Sequence, residues 1–157
     1  MQMDMNRTGF GEHLDRGRAA VVSLTNANEI TTEDVVRLRR LIFSQTSVGR
    51  DEAEALFHLE RSDAAKCPEW TAFFVEAITD HIVWQARPTG VVNTPQAEWL
   101  IQQADQTRTL NTFAVLVNVL AEAHRVPAWL PAAVRGRAGA GWQGLGNVLE
   151  EAVRKAA

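Results

Sequence analysis

Five carboxylates are the residues best placed to do chemistry: Asp51, Glu52 and Glu54 in one predicted helix, and Glu76 and Asp80 one turn apart in another. Together they are the candidate metal ligands. A calcium-binding helix–loop–helix puts an apolar residue eighth in its loop and a bidentate Glu twelfth. Val48 and Glu52 keep that offset, and Gly90, Val92 and Gln96 keep it with a neutral stand-in. The first, third and fifth positions must also supply oxygen. Here they are Leu41, Phe43 and Gln45 before Glu52, and Gln85, Arg87 and Thr89 before Gln96. A third such loop offers Gln103, Asp105 and Thr107 but ends on Ala114, and the first offers Ser23, Thr25 and Ala27. None assembles the charge a hard divalent cation needs. Glu52 reads better as a capping acceptor at a helix start. Glu76 and Asp80 read as a solvated strip.

No catalytic set emerges, and no cofactor is implied. Cys67 precedes Pro68 at a helix start, a place that can lower a thiol pKa, but a nucleophile wants a base beside it. His81 falls on an apolar helix face and reads as a core histidine. His58 sits one turn after Glu54 as an exposed Glu–His pair. His124 lies at a helix C-terminus, where a cation is favoured. The histidines show none of the paired spacings of zinc sites. Gly139-Ala140-Gly141-Trp142-Gln143-Gly144 matches GxGxxG, yet no strand precedes it, so it reads as a hinge. Arg37, Arg39 and Arg40 make a solvated helix face.

The elements that must position these residues are helices. Pro68–Trp84 carries the strongest signal. Pro68 suits a first turn and Glu69 the positive end of the dipole. Trp70, Phe73, Phe74, Ala77, Ile78, His81 and Ile82 share one face. On each side of it lies a pair of capped starts. The caps are Thr31, Gly49, Asn93 and Asn111, and the helices begin at Thr32, Arg50, Thr94 and Thr112. Asp34, Glu52 and Gln96 stand at the capping-box position. Ile30 to Val48 spans the same distance as Val92 to Leu110, which points to an internal duplication of about Leu24–Leu59 in Ala86–Ala121. The expected fold is an all-α helical bundle of two related helix pairs around a central apolar helix.

The chain has 157 residues, 46% hydrophobic and 22% charged, with a formal charge of −3. Those values fit a globular protein and give no reason to expect nucleic acid. One cysteine and the lack of an apolar N-terminal run suit the cytoplasm, and no stretch reaches membrane-spanning length. The expected organisation is a polar tail over 1–20, a helical domain over 21–135, a Gly/Arg-rich hinge over 136–146 and an amphipathic helix over 147–157. Leu145, Val148, Leu149, Ala152 and Val153 give that last helix an apolar face, and Trp142 adds a large anchor. They are the candidate partner-binding residues, for a protein partner or for self-association, unless the helix folds back on its own domain.

The stretch VGRDEAEALFHLE (Val48–Glu60), the helix PEWTAFFVEAITDHIV and the segment AEWLIQQADQTRTLN resemble a bacterial helical family. Its layout is similar to that of the TerB-like, tellurite-resistance proteins, whose helix pairs follow short EF-hand-like loops. The resemblance covers about Ile30 to Pro127. It implies the all-α fold, and as an alternative function a stress-response protein that binds a metal ion or small ligand through an acidic cluster. The acidic loops of that family are replaced here, by Ser47 before Val48 and by Arg108-Thr109 before Leu110, so no site is carried over.

Overall fold

Local capping chemistry starts the helices. The computed structural model describes residues 19–43, 48–139 and 142. Residues 19–24 are helical and bury Val21 and Leu24. Helix α1 (Thr32–Phe43) starts behind Thr31, whose hydroxyl accepts from the Asp34 N–H at 3.1 Å while the Asp34 carboxylate accepts from the Thr31 N–H at 2.9 Å. This is the expected reciprocal box, and it satisfies two otherwise orphaned donors. Helix α2 (Arg50–Arg61) starts behind Gly49. Glu52 folds back over that glycine, with Oε2 2.6 Å from where a Cβ would stand.

Helix α3 (Pro68–Thr79) continues into a wider π-helical turn, Asp80–Trp84. Helix α4 (Thr94–Thr107) is boxed by Asn93 and Gln96, at 2.9 and 2.8 Å. Helix α5 (Leu110–Glu122) and helix α6 (Leu130–Ala138) complete the order. The strands are β1 (Glu29–Ile30) and β2 (Ala65–Lys66), which pair in parallel, so the chain is all-α in class.

Two expectations are corrected here. Helix α5 begins at Leu110, not Thr112, and its cap is Thr109 rather than Asn111. The Thr109 hydroxyl accepts from the Thr112 N–H at 3.2 Å. The cause is Arg108, at φ 55, which closes α4 in the left-handed conformation and turns the chain early. Val48 therefore precedes its helix's cap while Leu110 follows its own, and their equal spacing does not mark equivalent positions. Residues 136–138, assigned above to a hinge, form the last turn of α6.

Contacts divide the chain into two compact units, Met1–Ala77 and Ile78–Ala157, with the division inside α3. The core of the first unit is aromatic. Trp70 stacks on Phe74 at 5.6 Å, Phe57 meets Phe74 edge-on at 5.2 Å, and Phe43 meets Phe73 edge-on at 6.2 Å. Ala53, Leu56 and Leu59 of α2 and Leu38 of α1 are fully buried around them. Periodicity alone placed this face, because burying large apolar area is what holds so short a set of helices together. Leu41 of α1 is half-buried.

In the second unit α4 packs on α5, α5 on α6, and the π turn on α5. Ile82, Val83, Leu100, Leu116 and Val119 are buried there. Helix α5 is apolar nearly all round, and Val117 on it is 48% exposed. Thr79 is buried, and its hydroxyl accepts from the Asn118 amide at 2.9 Å, which accounts for a polar group in that core.

Helix α6 is tied down by charge. Arg137 grips Asp105 of α4 with two bonds of 2.7 Å. That grip, opposed in part by burial, holds the Asp105 carboxyl below its ordinary range. A depressed folded-state pKa gives stability that is complete above the unfolded value of about 3.9 and lost as pH falls through the folded one. Both groups are partly exposed, so the pair is worth no more than about 1 kcal/mol. Arg137→Ala is expected to lose that amount at neutral pH and to show a shallower acid-side decline. Urea titrations from pH 7 to pH 2 check it; a variant that follows wild type at every pH refutes the tie.

Candidate functional site

The five acidic candidates do not converge. Glu54 accepts from Arg50 Nε at 3.1 Å, one turn away on α2. Glu76 pairs with Arg39 of α1, whose guanidinium also lies over the Phe43 and Phe73 rings. Asp80 accepts from the Gln85 amide inside the π turn. Glu52 is buried against Gly49, and Asp51 is exposed. Among the described residues no group of three His, Cys, Asp or Glu side chains is gathered to hold a metal ion.

Cys67 is half-buried between β2 and α3, its N–H donating to the Ile30 carbonyl at 3.0 Å. Glu69 is held below the usual carboxylate range first by its own backbone N–H, then by the Thr32 hydroxyl at 3.0 Å and the Cys67 thiol. The helix N-terminus is thus occupied by a carboxylate from the chain itself.

His124 follows the C-terminus of α5 as expected, while His81 is less buried than a core histidine would be. His81 is half-buried and lies edge-on to Trp99 at 5.3 Å. His124 is exposed, edge-on to Trp84 at 6.0 Å. Trp84 in turn donates its indole N–H to Glu122 at 2.9 Å, yet remains 38% exposed. Trp129 is 39% exposed on the same unit. Trp142, the proposed partner anchor, is buried and set edge-on to Phe113 of α5 at 6.1 Å. It fills this unit's own core. Leu145, Val148, Leu149, Ala152 and Val153, with the rest of the expected C-terminal helix, lie outside the described residues.

Two features escaped the sequence reading. One is Glu60, buried near the end of α2, which accepts from the Trp70 indole N–H at 2.7 Å. An acid in a helix's last turn opposes the dipole, and that was the available signal. The other is a cleft of about 400 Å³ in the first unit, lined by the loops 25–28 and 62–64 and by His58 and Arg61 at the end of α2. Its walls are braced. Thr25 donates to the Val22 carbonyl at 2.7 Å and Ser62 to the Leu59 carbonyl at 2.7 Å. Lys66 holds the second loop through the Ser62 and Ala64 carbonyls, at 3.0 and 3.1 Å.

Comparison with protein-family models, with curated proteins and with solved structures returns no match to this chain.

Proposed function

We propose that this chain is a non-enzymatic helical binding or scaffold module of the cytoplasm, made of two related units and acting on a protein partner or on a second copy of itself. The observation that carries it is Trp84. A large indole is held in one orientation by the Glu122 carboxylate and the His124 ring, and still presents over a third of its surface to solvent. Fixed, half-open tryptophans lose little freedom on binding and are enriched at interface hot spots. Trp129 and Val117 add apolar surface on the same unit.

The relation between the units is supported by their main-chain bonds. In the first, the Asn28 carbonyl accepts from Ala65 N–H at 3.0 Å ahead of the boxed helix α1. In the second, the Gly90 carbonyl accepts from Arg125 N–H at 3.2 Å ahead of the boxed helix α4. Each pairing is a parallel bridge, Glu29 with Ala65 and Val91 with Arg125. Each is followed by a turn into the third helix, Trp70 N–H to the Cys67 carbonyl and Leu130 N–H to the Pro127 carbonyl. Two capped helices closed by a parallel bridge and followed by a third helix occur twice, with the second unit's middle helix starting earlier than the first's.

The alternative that the sequence resemblance implies is a TerB-like stress-response protein that binds a metal ion or small ligand through an acidic cluster. Its acidic cluster draws less support, because Glu54, Glu76 and Asp80 each answer a different local partner.

Sedimentation of the full chain at rising concentration tests the reading. The expected result is a self-associating species whose association constant falls about thirtyfold or more in Trp84→Ser, the size of a single hot-spot loss. Helical circular dichroism should not change. A chain that stays monomeric at millimolar concentration removes the second copy as the occupant. A variant that associates as wild type does removes Trp84 as the anchor.

A further inference from the structure

Helix α5 carries a second apolar face, on the side away from its core. Thr112, Val115, Leu116 and Val119 are buried against the rest of the unit. Leu110, Phe113, Val117 and Leu120 recur three and four residues apart, the spacing of a seam between two packed helices. Ala114 and Ala121 run alongside, and small side chains let a second helix come close. None of these six is buried. Val117 is 48% exposed, Ala121 is exposed and the others are half-buried. Covering such a seam is favourable in proportion to its apolar area.

The chain itself begins to cover it. Helix α6 packs on α5, and shortly past the end of α6 Trp142 is buried edge-on against Phe113, at 6.1 Å. Trp142 therefore fixes the chain at one end of the seam. Only Leu110 lies on the N-terminal side of that point, while Val117, Leu120 and Ala121 run away from it toward the C-terminal end of α5. The sequence after Trp142, outside the described residues, supplies a matching face. Leu145, Val148, Leu149, Ala152 and Val153 recur at helical spacing. At about 1.5 Å per residue a helix over 145–153 spans about 12 Å, the same rise as 113–121 of α5.

We propose that the segment 145–153 docks on the α5 seam of its own chain, with Leu145 against Val117 and Leu149 against Ala121. His124 stands one turn beyond Leu120 and its ring meets Trp84, so the docked segment ends beside the Trp84 surface and bounds it. Val117 is thereby assigned to the chain itself. The Trp84 reading rests on the indole, and sedimentation tests it separately.

The test places pairs of cysteines in the full chain carrying Cys67→Ser and oxidises them at micromolar concentration. A disulfide needs Cα atoms within about 7 Å of each other. Val117→Cys/Leu145→Cys and Ala121→Cys/Leu149→Cys are expected to close within one chain, and Val117→Cys/Val153→Cys much more slowly. Mass spectrometry of the linked peptides identifies each bond. Bonds formed mainly between chains show that a second copy covers the seam and overturn the proposal. Pairs that all close at one rate, or that stay open, show no docked register and overturn it as well. Hydrogen exchange gives a readout without cysteines. The amides of 145–153 are expected to exchange about tenfold or more slowly than in the same segment as a free peptide, and to lose that protection in Val117→Glu. Val117 is exposed, so the new charge leaves the core of the unit in place. Free-peptide rates in the wild-type chain refute the docking, and protection that survives Val117→Glu places the segment off this seam and refutes it too.

Discussion

Trp70→Ala is expected to lower the unfolding free energy by about 4 kcal/mol, within the range for truncating a buried tryptophan in a core that cannot collapse around the gap. Trp70 is fully buried, stacked on Phe74 and tilted against Phe73 at 5.8 Å. Its two aromatic neighbours cannot fill the space, because each is set by an edge-on contact of its own, Phe73 with Phe43 and Phe74 with Phe57. Trp70→Phe separates two contributions. It keeps most of the apolar area but removes the indole N–H that serves the buried Glu60 carboxylate. Losing the donor to a buried acceptor costs about 1–3 kcal/mol. Adding Glu60→Gln should recover part of that, since an amide is cheaper than a carboxylate to leave without a donor. Urea denaturation of wild type, both single variants and Trp70→Phe/Glu60→Gln measures it. A Trp70→Phe loss under about 0.5 kcal/mol, the scatter of ordinary surface changes, shows that the bond to Glu60 contributes nothing.

What the sequence made legible was local. Thr31 with Asp34 and Asn93 with Gln96 follow a rule that operates within one turn, and both boxes form as read. The buried faces of α2 and α3 follow from helical period. The start of α5 was misread because Thr109 and Asn111 are both good caps, and the choice fell to Arg108, a residue type that gives no warning of a left-handed conformation. The π turn after Thr79 and the Glu29–Ala65 and Val91–Arg125 bridges depend on segments that meet only after folding. The cleft was invisible for the same reason. Asn26, Asn28, His58 and Arg61 form no motif along the chain, and only β1 beside β2 brings their loops together. The acidic residues read as a cap and a solvated strip rather than a metal site, but their partners were not legible: Glu54 pairs with Arg50 one turn away, and Glu76 with Arg39 of another helix.

Gly90→Ala is expected to cost about 3 kcal/mol, from two sources that can be measured separately. Gly90 sits at φ 82, where a Cβ costs about 1–2 kcal/mol. A Cβ there would also stand 2.3 Å from His124 Cδ2, and overpacking of this kind costs about 1–3 kcal/mol. The ring cannot simply swing away. Its own backbone N–H is fixed on the Gly90 carbonyl at 2.7 Å, and its outer face meets Trp84. Gly90 also donates its N–H to the Val83 carbonyl at 2.8 Å, so the strained residue is pinned on both sides. In Gly90→Ala/His124→Ala the clash is gone and only the backbone strain is left. The two substitutions are therefore expected to be less harmful together than the sum of their separate costs, by about 1–2 kcal/mol, a coupling typical of residues in contact. Thermal and urea unfolding of the four proteins give the cycle, with the Trp84 indole N–H resonance as a local probe. Additive losses would show that His124 yields without cost.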